Sequence, residues 1–212
     1  LGRYPTGAWQ PGQIIADTIP IPIPETDAGP TGLLLTMGLW DNDNGLLKTS
    51  SDSGTNILGT VRLAGTEKTA VTPALYQLGD QVTLVGLETP PQTAVPGQTM
   101  PLILTWHTLN QPDADYNIFM HLLDDAGNLV QGYDRPPLNG AFPTHLWQPG
   151  DTVVDGWQIQ LPDEMENGRY HVTAGWYRLD DLTRLPVTDA DGNVLPNSAI
   201  PLHTFQIKTA GE

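Results

Sequence analysis

Two acidic segments of the chain contain the carboxylate and amide side chains that calcium ions prefer as ligands. Residues 41–45 read Asp-Asn-Asp-Asn-Gly, and residues 189–193 read Asp-Ala-Asp-Gly-Asn. Neither has the full alternation of ligands and the following glutamate that an EF-hand loop requires. Both lie where a hairpin is expected, and tight turns favour Asp, Asn and Gly. We interpret both as turns, with a weak calcium site as the alternative, and predict no metal centre and no cofactor.

Residues that could act as catalysts are few. The four serines lie outside any Gly-x-Ser-x-Gly motif, and the chain has no His-Glu-x-x-His motif, Walker loop or dinucleotide-binding glycine motif. The absence of cysteine removes thiol nucleophiles, disulfides and Cys-ligated metals. The five histidines are scattered over different predicted strands and loops, as ordinary strand histidines are. We therefore predict no catalytic residue and a protein that is not an enzyme.

Two aspartates, Asp17 and Asp155, occur 138 positions apart in the same context, after a Trp-Gln-Pro-Gly turn. Alternation places each of them among apolar neighbours on a predicted strand. A carboxylate in such surroundings must be hydrogen-bonded or paired, because burying it bare is very costly. We predict that both are structural anchors that accept backbone N–H groups of the preceding turn. The alternative, a catalytic carboxylate, would need a second acid at a fixed spacing.

Four aromatic residues are candidates for carbohydrate binding: Trp40, Tyr177, Trp9 and Trp147. Alternation places the first two on the outer face of their strands, and the other two stand just before Pro-Gly turns. Such rings could form a stacking platform for sugar rings. They could equally pack against the protein, the first two over the glycines nearby in their own strands. Solvent exposure of the rings distinguishes the two roles.

An internal repeat indicates how these residues are positioned. Residues 4–17 align with residues 142–155 without a gap, and seven of the fourteen positions are identical. The similarity continues from residues 33–40 to 170–177 and from 58–63 to 202–207. Self-similarity at a fixed period marks a duplicated structural unit. We predict a truncated copy of the second half of the unit at residues 1–64, a linker at 65–76 and a complete unit at 77–209, the whole being a piece of a longer protein.

Composition and alternation favour an all-β fold. The 20 prolines and 22 glycines indicate many short strands and turns. We predict an antiparallel β-sandwich, immunoglobulin-like or jelly-roll-like. Met100, Leu102, Leu104 and Trp106 would form one inward row, and a second would be Tyr170, Val172, Ala174 and Trp176. The eight predicted strands of the complete unit are 81–88, 98–108, 116–123, 129–134, 152–161, 169–178, 184–188 and 202–208.

Residues 19–24 read Ile-Pro-Ile-Pro-Ile-Pro. In a strand, the three prolines would remove every N–H donor from one side while the isoleucines pack below. Such a strand can only lie at a sheet edge, where it discourages pairing with other chains. Half a sandwich also leaves apolar surface uncovered, so we expect the truncated unit to pack on the complete unit or on a second chain.

Charge and hydropathy exclude several partners. The chain has nine Lys and Arg against 24 Asp and Glu, a net charge of −15. A field of this sign repels phosphate backbones and anionic membrane surfaces, so we predict no nucleic-acid binding. No apolar run approaches the roughly 18 residues that a membrane-spanning helix needs. We predict no direct membrane insertion by this part of the chain.

The complete unit resembles a known class of β-sandwich. The residues that carry the resemblance are the run 116–124, Gly127-Asn128-Leu129-Val130, Pro136-Pro137, the Trp-x-Pro-Gly turn at 147–150, Gly175-Trp176-Tyr177 and Arg184-Leu185-Pro186-Val187. These motifs are similar to extracytoplasmic units appended to bacterial membrane glycosyltransferases of the protein mannosyltransferase-like type. The resemblance implies a non-catalytic, membrane-tethered accessory module outside the cytoplasm, whose partner is a glycan or another protein domain. The alternative is a carbohydrate-binding module that uses the exposed aromatics.

Overall fold

The computed structural model describes residues 6–23, 29–41, 43, 45–46, 55–65 and 73–208. The first part of the chain has a 3₁₀ turn at Thr6–Ala8. Four strands follow it: β1 (Thr31–Gly38), β2 (Trp40–Asp41), β3 (Gly45–Leu46) and β4 (Thr55–Leu63). Strands β1 and β4 form an antiparallel pair, and β2 and β3 form a short hairpin. Residues 66–72 of the proposed linker lie outside the described residues.

The remaining ten strands build the complete unit. They are β5 (Tyr76–Leu78), β6 (Val82–Glu88), β7 (Thr93–Ala94), β8 (Thr99–Thr108), β9 (Tyr116–Asp124), β10 (Leu129–Gly132), β11 (Thr152–Gln160), β12 (Gly168–Arg178), β13 (Val187–Asp189) and β14 (Ile200–Ile207). One sheet has the order β10-β9-β12-β14-β7 and the other β11-β8-β6-β5-β13. All neighbours pair antiparallel except β14 and β7. The predicted all-β sandwich is confirmed.

The core lies between the two five-stranded sheets. Both predicted inward rows are buried: Met100, Leu102, Leu104 and Trp106 on β8, and Tyr170, Val172, Ala174 and Trp176 on β12. Three tryptophans meet at the centre, because the ring of Trp176 lies edge-on to Trp106 at 5.3 Å and to Trp147 at 5.5 Å between centroids. Edge-to-face pairs of this kind add about 0.5–1.5 kcal/mol each beyond the burial of their area. Trp147 thus packs the segment before β11 against β12, and Trp176 packs β12 against β8 of the other sheet.

The two copies of the repeat share backbone geometry. Leu33 pairs with Val61 between β1 and β4, and their counterparts Tyr170 and Phe205 pair between β12 and β14. The register of each pair shifts at the same place, after Leu35 in the first copy and after its counterpart in the second. The two strand pairs thus share a register and a bulge at matching positions, as the predicted repeat requires of them.

The turn that opens each copy also recurs. Trp9 N–H donates to Thr6 O at 3.1 Å, and Trp147 N–H donates to the matching Thr144 O at 2.9 Å. The Pro-Gly turns end at Gly12 and Gly150, whose φ angles are 84° and 92°. Only glycine adopts such angles without strain. The identical residues of the two copies are therefore mainly those that determine turns.

Residues 19–23 are not the predicted edge strand. They have no regular secondary structure, and Ile19, Ile21 and Ile23 are 68%, 57% and 61% exposed. The last proline of the run, Pro24, lies outside the described residues. In the complete unit the matching segment belongs to β11 and pairs with β8. Within the described residues, residues 19–23 have no strand beside them, and their prolines cannot donate to one. The predicted packing of the three isoleucines is wrong for this reason.

The β1–β4 pair lies against the complete unit. The guanidinium of Arg62 on β4 is 2.6 Å from the carboxylate of Asp151, and both side chains are largely buried. Gly32 on β1 lies so close to Ala141 O and to the Phe142 backbone that a Cβ at this position would collide with them. An ion pair and a close backbone contact thus join the two copies.

Candidate functional site

Asp155 is the most deeply buried carboxylate of the complete unit, with no solvent-accessible surface. Its Oδ1 accepts hydrogen bonds from Arg135 Nη2 at 2.9 Å and from Leu138 N–H at 3.1 Å, and its Oδ2 accepts from Trp157 Nε1 at 3.0 Å. Burial raises the pKa of Asp155, although Arg135 and the other donors lower it. The guanidinium of Arg135 also lies 3.6 Å above the Trp157 ring. Each hydrogen bond of this carboxylate joins it to another residue of the complete unit.

The residue that closes the Trp-Gln-Pro-Gly turn is Asp151, not Asp155 as predicted. Asp151 Oδ2 accepts Gln148 N–H at 2.8 Å. The matching Gln13 Oε1 accepts Gln10 N–H at 2.9 Å in the first copy. Asp155 instead anchors the 3₁₀ segment Pro137–Gly140, where Leu138 has a φ of 52°.

Asp17 also differs from its prediction. Its side chain is exposed, in a segment without regular secondary structure. The prediction placed it among apolar neighbours on a strand, and that strand is not present in the described part of the first copy. Water can hydrogen-bond to an exposed carboxylate, so Asp17 does not need the N–H groups of the turn. Asp17 and Asp155 therefore match in sequence but not in environment.

The four candidate aromatics occupy different environments. Trp147 is fully buried, and its Nε1 donates to Phe142 O at 3.0 Å, so it packs in the core and cannot meet a sugar. Tyr177 is half-buried on the outer face of β12, where its hydroxyl accepts a hydrogen bond from the Asn117 amide at 3.1 Å. Trp40 and Trp9 are 71% and 39% exposed. The structure does not gather them into one platform on the complete unit.

The two acidic segments form turns where the structure describes them. Asp189 Oδ1 accepts the N–H groups of Asp191 and Asn193 at 3.0 and 2.8 Å, an arrangement that closes the loop after β13. These hydrogen bonds lower the pKa of Asp189. In the first segment, Asp43 lies in the turn between β2 and β3, and residues 42 and 44 lie outside the described residues. Within the described part of the chain, no three acidic or histidine side chains are grouped as a metal site would require.

A groove of about 470 Å³ lies on the outer face of the sheet that contains β9, β12 and β14. Its base is formed by Phe119, His121 and Leu123, which alternate on the outward side of β9, and by Thr173 and Pro201 opposite them. The wall includes apolar, hydrogen-bonding and charged groups: Gly127, Leu129, Arg184, Leu195, Pro196, Asn197 and Ala199. The lining contains no aspartate or glutamate. We name this surface the outer groove.

Arg184 and Phe119 form the centre of the outer groove. The guanidinium carbon of Arg184 lies 4.0 Å above the Phe119 ring, and its Nη1 donates to Asn197 O at 3.0 Å. Phe119 is only 1% exposed although it points away from the core. The arginine therefore lies over the ring and is itself part of the groove lining.

The rim of the outer groove is held in an unusual backbone conformation. Asn197 and Ser198 have φ angles of 57° and 52°, in the left-handed region that side chains with a Cβ rarely occupy. Ser198 O and the Phe119 ring both approach Gly175 so closely that a Cβ there would collide with them. A glycine within a strand allows such an approach. Backbone strain of this kind clusters at ligand-binding sites.

His121 contributes a neutral imidazole at physiological pH. Burial lowers its pKa, and the positive charge of Arg184 lowers it further, whereas Asp134 acts in the opposite direction. The His121 Nε2 lies 3.9 Å from the Asp134 carboxylate. A neutral imidazole has one N–H donor and one acceptor nitrogen, which suits hydrogen bonding to a hydroxyl group.

The fold and the groove define a class, an all-β sandwich module with a ligand-sized groove on one outer sheet face. No protein-family model matches the chain, and no curated protein matches its sequence. Among the described residues, no helix is long and apolar enough to cross a membrane.

Solved structures with a similar arrangement of strands are distant. The C-terminal domain of Wzt is 12% identical, with a TM-score of 0.46 over 65% of this chain and 80% of that one. The CARDB domain of the PF1109 protein from Pyrococcus furiosus, in complex with di-metal ions, is 11% identical, with a TM-score of 0.32 over 70% and 100%. A family 123 glycoside hydrolase from Clostridium perfringens is 12% identical, with a TM-score of 0.31 over 64% and 26%. These are β-rich proteins, and the likeness carries no assignment of activity.

Proposed function

We propose that the complete unit is a non-catalytic binding module that holds a segment of glycan in the outer groove. The observation that supports this is the composition of the groove, which combines apolar surface from Leu123, Leu195 and Pro201 with the polar groups of His121 and Arg184. A sugar ring likewise combines apolar C–H faces with polar hydroxyl groups. Ligand sites are in general concave and mainly apolar, with a few placed polar groups.

The absence of enzymatic activity is part of the same proposal. Glycoside hydrolysis requires two carboxyl groups on either side of the scissile bond, and the residues that line the outer groove include none. The buried carboxylate of Asp155 is occupied by three donors. A glycan held in this groove would be bound and released unchanged.

The setting of the module follows from the sequence resemblance. We propose that it works outside the cytoplasm as an accessory part of a membrane-tethered glycosyltransferase-like or cell-surface protein. There it would position a glycan or contact another protein domain. Protease added to intact cells that produce the full-length protein should digest this module. Protection of the module until the cells are lysed would contradict the location.

Trp40 provides a second candidate position for the same function, because 71% of its side chain is exposed. A ring at this place could stack on a sugar without the outer groove, and Tyr177 would take the corresponding place in the complete unit. Binding at Trp40 and binding in the outer groove can be distinguished by mutation.

The experiment is a calorimetric titration of the protein with a panel of neutral and acidic oligosaccharides. Thr173→Trp should abolish binding, because Thr173 lies in the base of the outer groove on the outward side of β12. The matched control is Val154→Trp on β11 of the opposite sheet, where the native side chain is 58% exposed. This variant should bind with the affinity of the native protein. Trp40→Ala should leave the affinity unchanged. If no oligosaccharide binds, or if only Trp40→Ala abolishes binding, the proposal for the groove is wrong.

A further inference from the structure

Arg184 is distinguished from the other arginines of residues 73–208, which the structure describes without a gap. Each of the others has a carboxylate partner: Arg135 with Asp155 at 2.9 Å, Arg169 with Asp125 at 3.8 Å, and Arg178 with Asp180 at 3.0 Å and Asp113 at 3.2 Å. No carboxylate of the described residues lies within 4.0 Å of the Arg184 guanidinium. In a chain with a net charge of −15, an arginine without an acidic partner is unusual.

The position of the guanidinium is fixed before any ligand arrives. Its central carbon lies over the Phe119 ring, and one N–H is held by Asn197 O. A guanidinium has five N–H donors, so most of them remain for a ligand. Because the side chain is already ordered, a ligand that binds it loses less conformational freedom than with a mobile lysine.

The surroundings of Arg184 favour a negatively charged group. The lining of the outer groove includes no aspartate or glutamate, although acidic residues greatly outnumber basic ones in the chain. Two aspartates lie beside the lining without belonging to it: Asp134 is 3.9 Å from His121, and the Asp124 carboxylate accepts hydrogen bonds in the loop that contains Gly127. Arginine binds a carboxylate through two parallel N–H bonds, and such charge-assisted bonds are about twice as strong as neutral ones.

We propose that the outer groove recognises an acidic sugar, a uronic acid or another sugar with a carboxylate, and that Arg184 binds that carboxylate. This inference rests on the proposed function and adds the chemical class of the ligand. His121 and Thr173, on the base of the groove beside Arg184, would meet the hydroxyl groups of the same ring. The carboxylate of the sugar provides the ion pair that the protein itself does not supply to Arg184.

The test uses pairs of oligosaccharides that differ in one feature. Trimers of glucuronate, galacturonate and mannuronate are titrated against the same trimers with each carboxylate reduced to a primary alcohol. At least one acidic trimer should bind about 10- to 100-fold more tightly than its neutral counterpart, as one charge-assisted pair implies. Arg184→Gln should remove this preference, so that the acidic trimer and its neutral counterpart bind with similar affinity. Arg169→Gln, an exposed arginine outside the groove lining, is the matched control and should keep the preference.

The outcomes separate this inference from the proposed function. If acidic and neutral trimers bind equally and Thr173→Trp abolishes both, the groove binds glycans and the acidic class is wrong. If acidic trimers are preferred by Arg184→Gln as strongly as by the native protein, the role of Arg184 is wrong. If none of the oligosaccharides binds, both proposals are wrong.

Discussion

Replacement of Asp155 by asparagine tests whether the buried carboxylate holds the complete unit together. The native carboxylate accepts from three donors at 2.9–3.1 Å. Asparagine has one acceptor oxygen and one NH₂ group. If the oxygen continues to accept from Arg135 and Leu138, the NH₂ group must face the N–H of Trp157, and a buried donor loses its acceptor.

The expected loss of stability follows from these contacts. A buried donor left without an acceptor costs about 1–3 kcal/mol. Arg135 also loses its ionic partner, but its side chain is 17% exposed and rests on the Trp157 ring, which limits that part of the cost. We expect Asp155→Asn to lower the free energy of unfolding by about 1–3 kcal/mol, measured as the urea midpoint with an unchanged slope. Asp125→Asn is the control, since this carboxylate is 65% exposed and should change stability by less than about 0.5 kcal/mol.

The effect of Asp155→Asn should depend on pH. Burial raises the pKa of Asp155 above its ordinary value of 3.8 in the folded protein. At pH values between 3.8, the ordinary pKa, and the higher pKa of the folded state, the folded protein holds a proton that the unfolded protein has released. The contribution of this proton to stability is complete below pH 3.8 and is lost as the pH rises through the folded pKa. Asparagine has no such proton, so the difference between native protein and variant should be larger near pH 4 than at pH 7.

Two results would refute the structural role of Asp155. Equal urea midpoints for the native protein and Asp155→Asn at both pH values would show that the three hydrogen bonds contribute nothing. If, in addition, the native protein hydrolysed a glycoside and the variant did not, Asp155 would be catalytic. Both proteins are therefore screened with the same glycoside substrates.

Three further predictions concern the framework. Trp147→Ala should cost about 3–5 kcal/mol because the ring is fully buried, whereas Trp40→Ala should cost less than about 0.5 kcal/mol; equal urea midpoints would contradict the burial of Trp147. Residues 73–208 alone should give a native near-ultraviolet circular dichroism spectrum, because every residue of the buried core cluster lies in that range; a featureless spectrum would show that the first copy is needed for folding. Asp151→Ala and Arg62→Ala should be non-additive by about 0.5 kcal/mol or more, since the two side chains form one ion pair; strict additivity would show that they do not interact.

The long strands could be predicted from the sequence because their side chains alternate strictly. On β8 and β12 the inward rows match the prediction residue by residue. Strands β5 and β7 were not predicted, since three and two residues are too few for alternation to show. Residues 19–23 alternate as well as any true strand, yet they pair with no strand in the part of the chain that the structure describes. Alternation reports which face is apolar, but not whether a neighbouring strand is present.

The site was less accessible to sequence reasoning. The burial of Asp155 follows from alternation, but its partners do not, because Leu138 reaches it only through a left-handed turn. The outer groove combines Phe119 with Arg184, 65 positions later in the sequence. Two features of the sequence indicate the outer groove. One is a phenylalanine at an outward strand position, and the other is Gly175 within a strand, where another part of the chain approaches closely. Neither identifies the arginine.

The shared register of the two copies has a consequence for specificity. Counterparts on β1 and β12 are 137 positions apart, and those on β4 and β14 are 144 apart, so the connection in the second copy is seven residues longer. The strand pairing and its bulge are the same despite this difference. The longer connection carries Arg184, Asn197 and the strained rim of the groove. The scaffold therefore keeps its strand alignment across connections of different length, and new ligand preferences could evolve, or be engineered, by changing the parts of this connection outside β13.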